Sequence, residues 1–123
     1  MKIIVLVKEV PDTYGERKLD LETGLADMET GLQAARVFLY QAAWKLDRGA
    51  ADATKHCAMA KRLVTDTAFE VANDALQLLG GYGYLADFGV EKLVRDLRVH
   101  QILEGTNEIM RVIVARALLA ERG

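Results

Sequence analysis

From Asp27 to Leu78, apolar and small side chains recur every three or four residues, and this spacing constrains the fold more than any other feature of the chain. Leu32, Ala35, Leu39, Ala42 and Leu46 mark one stripe, and Cys57, Ala60, Val64, Ala68, Val71, Ala75 and Leu78 mark a second. A period near 3.6 belongs to an α-helix with one buried face, whereas a strand would alternate. Asp27 is placed to cap the first helix and Gly49 to end it; the second runs from about Asp52 to the Gly80-Gly81 pair. Small residues in both stripes let the helices lie close, which predicts an antiparallel helical hairpin.

A short helix is expected from Val90 to Leu97 and a last one from Thr106 to Ala120, with Thr106 as N-cap and Glu108 complementing the positive helix end. Ile109, Val112, Ile113, Ala117 and Leu118 make the last helix apolar nearly all round, so burial on more than one side is expected. The fold class read from this pattern is all-α, an up-down bundle that lacks one of its usual four helices. The start of the chain differs. Ile3 to Val7 reads as a short strand buried on both faces, closed by Pro11-Asp12, and no later segment offers it a partner. A composition boundary at Leu25 to Asp27 divides an extended segment, residues 1–26, from a helical domain, residues 27–123.

Composition narrows the function classes. A net charge of −2, with cationic residues spread along helical faces, gives no footprint for nucleic acid. One cysteine excludes an intramolecular disulfide and zinc sites built on cysteine pairs, and His56 and His100 stand apart, so no metal site is expected. No apolar run is long enough to span a membrane, and MKIIVLVKE is too short in its apolar part for a signal peptide; a cytoplasmic or organelle-matrix protein is expected. Glycines, aromatics and isolated acidic residues concentrate between Gln77 and Met110, where function is expected.

Three linked segments there carry a family resemblance. QLLGGYGY (Gln77 to Tyr84), VEKLVRD (Val90 to Asp96) and LEGTNEI (Leu103 to Ile109), preceded by LADMETGLQAAR from Leu25, resemble in order and spacing the C-terminal helical domain of the acyl-CoA dehydrogenases. These flavoenzymes introduce an α,β double bond into acyl-CoA thioesters. The resemblance covers about four fifths of the chain, from about residue 25 to 123. The first 24 residues resemble instead the start of the electron-transfer flavoprotein β subunit, part of the protein that accepts electrons from such dehydrogenases.

The resemblance implies FAD as cofactor, acyl-CoA as substrate, electron-transfer flavoprotein as partner and a homo-oligomeric enzyme of bacterial cytoplasm or mitochondrial matrix, without nucleic acid or membrane. It implies short or branched acyl chains. It makes Glu104 the base that removes the α proton, a task that needs a positioned carboxylate whose basicity rises as substrate expels water. Gly105 keeps backbone bulk away from substrate, and Arg116 lies either near the acyl-CoA or in a surface salt bridge. Thr106, Asn107 and Glu108 either touch FAD, cap the last helix, or do both. Gln77, Leu78, Leu79, Gly80 and Gly81 either reach the FAD of a neighbouring subunit or simply stop a helix. Arg95 and Asp96 read as a structural pair. The family's N-terminal helical domain, its flavin-cradling β domain and its first C-terminal helix have no counterpart here, so the isolated chain is expected to be inactive. Two alternatives stand beside the truncated enzyme: a non-catalytic helical oligomerisation module, and a chimeric or truncated gene product.

Overall fold

The computed structural model describes residues 21–121. In chain order these form helix α1 (Leu21–Asp47), helix α2 (Ala53–Leu79), two short 3-10 turns (Gly80–Tyr84 and Ala86–Phe88), helix α3 (Val90–His100) and helix α4 (Asn107–Ala120). No strand occurs among the described residues. The strand expected at Ile3 to Val7 and most of the 1–26 segment lie outside them.

Helix α1 begins at Leu21, six residues before the expected cap, and Asp27 is an exposed mid-helix residue. Gly24 costs the helix about 1 kcal/mol relative to alanine. Continuous backbone hydrogen bonding outweighs that, and Glu22 in the first turn complements the helix dipole. At the other end Gly49, at φ 63, closes the chain over Leu46 O. Helix α2 then starts within one residue of expectation and stops at Gly80.

The buried apolar side chains are Ala35 and Ala42 of α1, Ala53, Ala58, Ala60 and Ala72 of α2, and Met110 of α4. Alanine at these positions lets backbones approach, as at Gly31, where an added Cβ would stand 3.3 Å from Thr67 Cγ2. The hairpin end is fastened by Lys45 Nζ to Asp52 Oδ2 at 2.6 Å and by stacking of the Phe38 and His56 rings.

Helix α2 is the hub. It packs against α1, α3 and α4, whereas α1 touches neither of the other two and α3 and α4 do not pack on each other. Helix α4 runs antiparallel to α2, its start held at Lys61 and its end at Lys55, which pairs with Glu121. Having one neighbour, α4 is not buried on several sides as its composition suggested: Ile109, Val112, Leu118 and Leu119 are all exposed. No large side chain is fully buried among the described residues. The result is an open up-down arrangement, three long helices wide on one central member.

Candidate active site at the turn between α3 and α4

Helix α3 is strongly amphipathic and ends at His100, from which Ile102 and Leu103 fold back to hydrogen-bond Val99 O. The chain then reverses through two left-handed residues, Glu104 at φ 55 and Gly105 at φ 93. Glu104 is the one non-glycine residue with positive φ among those described, a conformation that costs on the order of 1–2 kcal/mol and persists only where its surroundings over-determine it. Thr106 returns to extended backbone as the N-cap of α4, its hydroxyl accepting from Ile109 N at 3.4 Å. Asn107 N donates to Gln101 O at 3.0 Å and closes the turn.

What over-determines the turn is a polar cluster on α2. Asn107 is 3% exposed, and its amide is fully engaged. Its Nδ2 donates to Asp66 Oδ1 at 2.7 Å and Thr65 Oγ1 at 2.9 Å, while its Oδ1 accepts from Lys61 Nζ at 2.7 Å. Gln101 Nε2 donates to the same Asp66 oxygen at 2.8 Å, and Lys61 donates a second bond to Gly105 O at 2.9 Å. Every buried side-chain polar atom among the described residues has a partner.

Beside the turn lies a hollow of about 410 Å³ between the end of α3 and the start of α4. Phe69 and Ile102 give it apolar wall; Thr106, Glu108, Arg98 and Arg111 give it a polar rim. The Glu108 carboxyl is held below the usual carboxylate range, first by its own backbone N–H and then by the Thr106 hydroxyl, with Arg111 adding to the effect. The positive end of the α4 dipole and two guanidinium groups suit a polar or anionic ligand. Glu104 itself does not line this hollow but stands exposed at the turn next to it.

The expected site residues thus fall into three places. Glu104, Gly105, Thr106, Asn107 and Glu108 come together at the turn. Gln77, Leu78, Leu79, Gly80 and Gly81 occupy the last turn of α2 and the first 3-10 turn, about 20 Å along α2 from Thr65. Arg116 lies about 15 Å along α4 from Thr106, exposed and with no carboxylate within ion-pair distance among the described residues. Arg95 and Asp96 do not pair, because Asp96 takes Lys92 one helical turn away. Sequence reasoning missed Lys61, Thr65 and Asp66. The available signal was their i, i+4, i+5 spacing, which places three polar residues on one side of the helix.

Residues 18–119 match the family model described as the acyl-CoA dehydrogenase C-terminal domain. The chain belongs to the acyl-CoA dehydrogenase family. Mitochondrial isobutyryl-CoA dehydrogenase of Bos taurus is 50% identical over 101 residues, covering 82% of this chain and 24% of that protein. Butyryl-CoA dehydrogenase of Megasphaera elsdenii superposes with a TM-score of 0.78 at 36% identity, over 88% of this chain and 29% of that one. A chain from a structural study of the electron transferring flavoprotein of Acidaminococcus fermentans gives 0.78 at 42% identity, over 84% and 27% respectively. The helices described here are therefore those of an acyl-CoA dehydrogenase C-terminal domain, and the chain spans about a quarter of the length of the curated relatives it matches.

Proposed function

We propose that this chain supplies the base and one flavin-facing edge of a FAD-dependent acyl-CoA dehydrogenase acting on short or branched acyl-CoA thioesters. The observation that carries the reading is Glu104, a carboxylate held in a strained left-handed turn by a buried network. Strain maintained at that expense of stability suits a group that must stand in one place. In this reading Glu104 accepts the α proton of the thioester, and its backbone N–H helps polarise the carbonyl. Gly105 leaves room for substrate, and Arg116 lies toward the CoA end.

The residues at the hollow fit the edge of a flavin. Thr106 and the guanidinium groups of Arg98 and Arg111 offer donors, Glu108 an acceptor, and Phe69 an apolar wall. When bound, FAD supplies the acceptor for the β hydrogen. Asn107 serves this edge by fastening the turn, since its amide is engaged with α2. Gln77, Leu78, Leu79, Gly80 and Gly81 are too far along α2 to reach the same part of one cofactor, which agrees with contact to the FAD of a neighbouring subunit. In a complete enzyme the electrons pass on to an electron-transfer flavoprotein, in the mitochondrial matrix or bacterial cytoplasm.

Exchanging residues 21–121 into the matched region of the bovine isobutyryl-CoA dehydrogenase tests the reading. The chimera is expected to oxidise a branched or short acyl-CoA, and Glu104→Gln to reduce the rate by 10³-fold or more, about 4 kcal/mol of transition-state stabilisation. A chimera whose activity survives that substitution sinks the assignment. The chain alone is expected to purify colourless, and absorbance near 450 nm or acyl-CoA oxidation with an artificial acceptor would contradict this.

A second reading rests on Val37, Tyr40 and Trp44, an exposed i, i+3, i+7 stripe on α1. Such a stripe favours self-association, so the domain also serves as an oligomerisation module.

A further inference from the structure

Lys61 is one member of the network that fastens the turn, and its placement within it is unusual. The residue is half-buried, its ammonium meeting Asn107 on a part-buried side and Gly105 on an exposed one, and no carboxylate lies within ion-pair distance among the described residues. Two neutral oxygens hold it instead, Gly105 O at 2.9 Å and Asn107 Oδ1 at 2.7 Å. Both belong to the start of α4, where the helix dipole repels a cation. A charge that is partly desolvated, unpaired and set against a dipole is badly placed for stability. It is well placed to fix the turn, because a charge-assisted bond to Gly105 O clamps the Gly105–Thr106 peptide unit, where the left-handed pair Glu104–Gly105 gives way to α4.

We infer that Lys61 is a positioning residue for Glu104, an inference that rests on Glu104 being the base. The ammonium holds Gly105 O toward α2 and so pins the C-terminal end of the left-handed pair, Glu104 at φ 55 and Gly105 at φ 93. Asn107 Oδ1, on the same ammonium, fixes the far side of the turn, so the two bonds together define the loop. By accepting from a cation, the Gly105 carbonyl also polarises its own peptide, and the Thr106 N–H at the rim of the hollow becomes a stronger donor. One side chain on α2 thereby sets both the direction of the carboxylate and the strength of a neighbouring donor.

The test is NMR spectroscopy of the full 123-residue chain, which requires neither flavin nor turnover. In Lys61→Met, the couplings and Cα shifts of Glu104 and Gly105 are expected to leave the left-handed region. Exchange of the Asn107 N–H is expected to accelerate at least about tenfold, the factor that loss of one charge-assisted bond produces. Lys61→Arg is expected to restore both signals, a rescue that a merely space-filling role would not require. In the wild-type chain, scalar coupling across the hydrogen bond from Lys61 Nζ to Gly105 C′ is expected at low temperature, so the assignment stays open to refutation even if the Met variant unfolds. Unchanged Glu104 signals in folded Lys61→Met, or absence of that coupling, overturns it. If the turn depends on Lys61 but the Glu104→Gln chimera remains active, it is the base reading that fails, and with it the catalytic meaning of the clamp.

Discussion

Asn107 illustrates what one buried amide can do. Three hydrogen bonds with Lys61, Thr65 and Asp66 join the α3–α4 turn to the hub helix, and its own N–H to Gln101 O closes the turn. Asn107→Ala removes one hydrogen-bond partner each from Lys61 and Asp66, which keep Gly105 O and Gln101 respectively, so a loss of about 1–3 kcal/mol is expected in urea unfolding. Asn107→Asp is expected to be milder, because the new carboxylate meets Lys61, although it faces Asp66 as well. Two carboxyls among the described residues make stability sensitive to acid. Asp52 is held below its ordinary value by the hydrogen bond from Lys45, and Glu108 by its own backbone N–H and Thr106. A carboxyl with a lower pKa folded than unfolded binds its proton less readily when folded. Its contribution is therefore complete at neutral pH and disappears as pH falls through the folded value. Thermal unfolding is expected to shift downward below about pH 4.5, where unfolded carboxyls begin to protonate, and Asp52→Asn to flatten that slope.

At the scale of elements, most boundaries were legible in the sequence because they depend on neighbours in the chain. Gly49, Gly80 and Thr106 end or start helices where caps require them. The one large miss, the early start of α1, arose because Asp27 satisfies a capping pattern that continuous helical bonding overrides. The first 3-10 turn shows a requirement the pattern did not reveal. A Cβ on Gly83 would lie 2.7 Å from Leu76 O and 3.2 Å from Leu76 Cα, backbone atoms that cannot rotate away. Gly83→Ala is expected to cost about 1–3 kcal/mol and to loosen the turn from α2, measurable as lower Tm and faster amide exchange at residues 82–88.

The whole molecule is organised by helix α2, and that explains both its modest interior and its surface. With one hub and no contact between the outer helices, alanines fill the buried positions and the large apolar side chains of α1 and α4 remain outside. Concentration-dependent association is expected in light scattering. Tyr40→Ser with Trp44→Ser is expected to reduce it while far-UV helicity stays within error, since both side chains are exposed and neither supports the hairpin. A strictly monomeric wild-type chain at high concentration would remove the oligomerisation reading.

The amino-acid sequence alone determined the helices, most of their ends and the family, because spacing and caps are local and three motifs in order are specific. It also singled out the turn at Glu104. Tertiary structure alone decided which polar residues of α2 meet that turn, and therefore why Glu104 holds a left-handed backbone. Lys61 and Gly105 stand 44 residues apart. Their meeting depends on how far α2 is rotated about its axis where α4 crosses it, a phase set by the packing of alanines along the hub and carried by no local pattern in the chain.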